Sequence, residues 1–128
     1  MIAASILWAS ALAGPDARPL LDAVKACDRR AVSAATRAEP ARRADFAALI
    51  YAQQQAIAAE RAGLLANRSP EVSPAGQASL DLALAALDGR QRQLDDARVI
   101  ERSWRELVDE LRADFLANCT TGKRHADD

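Results

Sequence analysis

The chain has 128 residues, half of them apolar and 27% charged, which is the length and balance of one globular domain and excludes a disordered or collagen-like chain. Its 31 alanines stand against 15 leucines, five valines, five isoleucines and five aromatic residues, a composition that favours helix and cannot readily furnish a β-sandwich or barrel. The formal net charge of −1 supplies no global field to draw the chain onto nucleic acid or an anionic membrane.

Residues 1–13, MIAASILWASALA, carry no charged side chain and end in Ala11-Leu12-Ala13, the small-x-small pattern that precedes a signal-peptidase cut, here before Gly14. The segment reads as a signal peptide. It is too short for the roughly 20 apolar residues that span a bilayer, so no stable membrane anchor is expected. The basic n-region typical of such leaders is absent, and a buried Ala-rich N-terminus of a cytosolic protein is the alternative.

After Gly14-Pro15, Asp16 is placed to cap a helix and Pro19 suits its first turn, where a missing N–H has no ladder partner to lose. Leu20, Leu21, Val24, Cys27, Ala31 and Ala35 then recur at helical spacing. Pro40 interrupts this stripe, and Thr36-Arg37-Ala38-Glu39 before it has the form of a capping box. Two readings stay open there: a new helix restarting at Thr36, or one helix kinked by the proline.

A clearer stripe follows through Phe46, Leu49, Ile50, Gln53, Ala56, Ile57, Glu60 and Leu64, and residues 67–76, rich in Pro, Ser, Asn and Gly, form the main turn. A second long stripe runs through Leu80, Leu84, Leu87, Leu94, Ala97, Ile100, Trp104, Leu107, Leu111 and Phe115, with Gly89 as its weak point. Residues 120–128 read as a flexible polar tail, and 14–119 as the helical domain.

The two cysteines, Cys27 and Cys119, lie nearly symmetrically about the turn. In an antiparallel hairpin their offset of three residues is only about 4.5 Å along the axis, at about 1.5 Å per residue, within reach of one bridge across the open end. Charge supports this pairing, because residues 25–43 hold six basic and two acidic side chains whereas 103–121 hold four acidic and two basic ones. The expected fold is therefore all-α, a long antiparallel helical hairpin stapled by one disulfide, with Pro40 and Gly89 as places where it can divide into a three- or four-helix bundle.

Signals for chemistry are few. The single histidine, His125, sits in the tail, and no set of ligands has zinc spacing. No phosphate loop or dinucleotide fingerprint occurs among the five scattered glycines. The carboxylates Asp95, Asp96, Glu106, Asp109 and Glu110 alternate with arginines at three- and four-residue spacing, as on a solvated helix face. No cofactor, metal or catalytic residue is assigned. The candidate partner surface comprises Arg37, Arg42 and Arg43, whose simpler role is pairing with the acidic end of the last helix, and Tyr51, Gln53 and Gln54, whose simpler role is a polar layer that fixes helix register. The expected function is a small exported protein, periplasmic or secreted and non-enzymatic, with a binding, adaptor or chaperone-like role toward a protein partner. The alternative is a cytosolic coiled-coil-like subunit that completes a thin core by forming a homodimer.

Overall fold

Three helices account for nearly all of residues 12–68 and 71–119, the part of the chain that the computed structural model describes. They are α1 (Arg18–Lys25), α2 (Arg29–Ala66) and α3 (Pro74–Asn118), and no strand occurs among the described residues. The expected signal peptide, apart from Leu12 and Ala13, and the expected tail with His125 lie outside the described residues. At about 1.5 Å per residue, α2 and α3 are rods of about 57 and 67 Å. They run antiparallel as a hairpin, with α1 folded across both at the end away from the turn. Cys27 and Cys119 close that end in a disulfide, their Cα atoms 5.4 Å apart.

The first interruption in the helical path falls at residues 26–28, not at Pro40. Asp28 N–H donates to Ala23 O at 2.8 Å and Cys27 N–H to Val24 O at 3.1 Å, the paired bonds of a Schellman ending, with Cys27 in the left-handed region at φ 51°. Asp28 then opens α2, its carboxylate accepting the Ala31 N–H at 3.0 Å. This cap was not recognised in the sequence, because the left-handed position is usually glycine and here is cysteine. Removing it through Asp28→Ala is expected to cost about 1 kcal/mol in urea denaturation, while Asp28→Asn retains most of the cap.

Pro40 lies inside a continuous α2, and the capping box does not form: the Thr36 hydroxyl donates back to Val32 O at 2.8 Å. An interior proline costs about 3 kcal/mol. α3 is likewise unbroken at Gly89, which is flanked by the cross-helix pairs Arg61–Asp88 at 2.7 Å and Arg90–Glu60 at 2.6 Å. The charge complement anticipated between 25–43 and 103–121 is realised only in part. Arg42 pairs with Glu101, two residues short of the 103–121 stretch, and within that stretch Glu106, Asp109 and Glu110 make no ion pair among the described residues.

Residues seven apart build the seam, with Ile50, Ile57 and Leu64 on α2 against Leu87 and Leu94 on α3. Leu94 is fully buried. A second apolar cluster joins Ala23 and Val24 of α1 to Val32 and Phe115, with the half-buried Leu20, Leu111 and Cys119 beside it. Leu12 packs on the first cluster, and Gly14 crosses closely over α3. At φ +83°, with a Cβ that would lie 2.7 Å from the Ile100 side chain, Gly14 is required by both conformation and space. Ile100 is accordingly off the seam and 43% exposed, where the apolar stripe had placed it inside.

Candidate functional site

Between the two apolar clusters the seam turns ionic. Glu39 occupies the position seven residues after Val32 and seven before Phe46, and Glu101 the position seven after Leu94 and seven before Val108. Both carboxylates are buried. Arg42 bridges them: Nε and Nη2 donate to Glu39 at 2.7 and 3.1 Å, and Nη1 and Nη2 donate to Glu101 at 2.8 and 2.9 Å. Arg43 adds a bond to Glu39 at 2.9 Å and Arg105 one to Glu101 at 2.9 Å. The Trp104 indole N–H also donates to Glu39, at 2.9 Å, and the Arg42 guanidinium lies over the Trp104 ring, 5.7 Å from its centre.

Burial alone would raise the Glu39 pKa, but hydrogen bonds from Arg42, Trp104 and Arg43, together with the Arg42 charge, bring it down to about 2. Burial also opposes ionisation of Glu101, and Arg42 and Arg105 outweigh it, lowering that pKa as well. The Arg42 pKa is raised by its bonds to Glu101 and Glu39. An ionised carboxylate held by four donors at so low a pKa has no proton to give and little basicity near neutral pH. The cluster is an ion-paired layer set between the two apolar clusters of the seam.

Beside the cluster, one face of the hairpin opens into a groove of about 470 Å³. Phe46, Ala47, Ile50, Tyr51 and Gln54 of α2 form one wall, and Arg98, Arg102 and Arg105, with the ion-paired Glu101 among them, form the wall from α3. Tyr51 is 68% exposed. Gln54 exchanges amide bonds with Gln91 across the helices, at 2.7 and 3.0 Å, and accepts a further bond from Arg98 at 3.3 Å. Arg98 is neutralised by Asp95 and Arg105 by Glu101, whereas Arg102 has no ion-pair partner among the described residues.

No family model matches the chain, and no curated protein or solved structure is significantly similar to it. The site rests on its own geometry.

Of the residues singled out in the sequence, the groove gathers Tyr51 and Gln54. Arg42 and Arg43 are instead consumed by the ionic cluster, and Gln53 is half-buried outside the groove. Arg37 is turned back on its own helix, bonded to the Ser33 carbonyl and hydroxyl at 3.4 and 3.1 Å. The α3 wall was missed. Its signal was the run Arg98, Arg102, Arg105 at four- and three-residue spacing, read in the sequence as ordinary alternation with acids. Among the described residues no group of three or more His, Cys, Asp or Glu is arranged to hold a metal ion, and no helix is long and apolar enough to cross a membrane.

Proposed function

We propose that the protein is an exported, non-enzymatic binding protein that holds an acidic, apolar segment of a partner in the groove between α2 and α3. The observation that carries this reading is the unpaired Arg102 in an apolar groove rimmed by further arginines and by the exposed Tyr51. Export is supported by the disulfide, which suits an oxidising compartment, and by the apolar run that ends in a small-x-small pattern. A helix whose leucine stripe is flanked by acidic residues meets both the charge and the apolar floor.

Two measurements test the proposal. Intact mass of the native protein is expected to show a chain starting at Gly14 with no alkylatable thiol; retention of residues 1–13, or two free thiols, points to the cytosolic alternative. Fluorescence anisotropy with a synthetic Leu/Glu-patterned helical peptide is expected to show binding that weakens about tenfold in Arg102→Glu and falls with added salt. Equal binding of the Leu/Lys counterpart overturns the reading. So does a concentration-dependent dimer in light scattering that Arg102→Glu abolishes, since the groove then serves self-association.

A further inference from the structure

On the other side of the ionic cluster, α1 does not close completely on the hairpin. It leaves a crevice of about 260 Å³, larger than the 150 Å³ engineered cavity that accepts benzene. Pro19 and Leu20 of α1, Val32 and Ala35 of α2, and Trp104 and Val108 of α3 line it. At that end the polar atoms are already bonded, the Trp104 indole N–H to the Glu39 carboxylate and the Thr36 hydroxyl to Val32 O, and the ring face offers carbon.

Charge along the crevice is one-sided. Two acids border it, and both are satisfied: Glu39 by Arg42, Arg43 and Trp104, and Asp16 by the Arg18 backbone N–H at 3.0 Å and guanidinium at 3.4 Å. Arg112, at the far end, has no ion pair or hydrogen bond among the described residues. A second hollow continues past it, bordered by Arg29, Arg37 and Phe115, so the anion-seeking end is lined by three cations. From Trp104 to Arg112 is about 12 Å along α3 at about 1.5 Å per residue, the length of an extended chain of about ten carbons.

We propose that this crevice binds a medium-chain aliphatic carboxylate, with its chain between α1 and the hairpin and its head group at Arg112. The site is separate from the α2–α3 groove and stands or falls independently of it. A short apolar slot with the Arg112 guanidinium at its mouth, and Arg29 and Arg37 beyond it, selects a ligand that has an apolar body and a single anionic end.

Isothermal titration of the full disulfide-bonded chain with decanoate, below its micellar concentration, tests this. One saturable site is expected, with decanol bound about tenfold more weakly. Arg112→Ala is expected to bring decanoate down to the level of decanol, and Ala35→Leu, which fills the crevice from α2, to weaken both at least tenfold with the helical circular dichroism unchanged. Arg102→Ala, in the other groove, leaves decanoate binding as it was. Absence of saturable heat, or equal decanoate affinity in Arg112→Ala and the parent chain, overturns the proposal. Should Ala35→Leu disturb the helical spectrum, the comparison of decanoate with decanol in Arg112→Ala decides alone.

Discussion

Replacing Cys27 and Cys119 by alanine, or reducing their bond, is expected to lower stability by about 3 to 5 kcal/mol and the melting temperature by about 15 to 25 °C. The bond closes a loop between residues 92 positions apart, which places it among the larger entropic effects of a single cross-link. The loss will be uneven. α1 has only eight residues and is held by a small cluster around Val24, Val32 and Phe115, to which Cys119 itself contributes. Amide hydrogen exchange in the reduced protein should therefore show Val24 and Val32 losing protection well before Ile57 and Leu94, which lie in the other cluster. Uniform loss at all four amides would show that the two clusters unfold as one unit.

Arg42→Ala is the second change expected to be severe, costing about 2 to 4 kcal/mol at pH 7. It strands two buried carboxylates, each keeping weaker support, Glu39 from Arg43 and Trp104 and Glu101 from Arg105. Replacing the whole set by Arg42→Leu, Glu39→Gln and Glu101→Gln should cost much less, because no uncompensated charge remains. Acid exposes the same interaction. The Glu39 pKa falls from an ordinary 4.5 to about 2 on folding, so the stability it contributes is fully present above pH 4.5 and is lost as pH drops from 4.5 through 2. Urea denaturation of the parent chain at pH 7 and pH 3 should differ by about 2 kcal/mol on this account. In Arg42→Ala that difference shrinks to less than half, and an unchanged difference would show that Arg42 is not what depresses Glu39.

The helical class and the cysteine bridge were legible because each rests on a signal of its own, alanine content and near-symmetry about the Pro-, Ser- and Asn-rich stretch, whereas the expected turn of 67–76 loses Pro74 to Gly76 to α3. The break at residues 26–28 was hidden because Ala26-Cys27-Asp28 keeps the apolar stripe running while the backbone turns left-handed without a glycine. Pro40 left two readings open, and the continuous helix is the one that forms. Local cost alone could not choose between them, and the contacts that hold the neighbouring Glu39 reach to Trp104, 65 positions away. Glu39 and Glu101 could have been found by noticing that each occupies a seven-residue position otherwise held by Val, Leu or Phe. What periodicity cannot reveal is which arginine answers them, and the candidate surface shifted for that reason from Arg42 and Arg43 to Arg98, Arg102 and Arg105.

The bridge from Cys27 to Cys119 also makes the hairpin a covalent ring, with α2, the turn and α3 inside it. A protease that cuts once within residues 67–73 opens the ring without dividing the molecule, since both halves remain tied at the opposite end. Such a nicked form keeps its seam, its ionic cluster and both hollows, and it separates into two peptides only when a reductant reaches the bridge. Any single cut between the two cysteines leaves one molecule, and a cut in the turn does so without breaking either long helix.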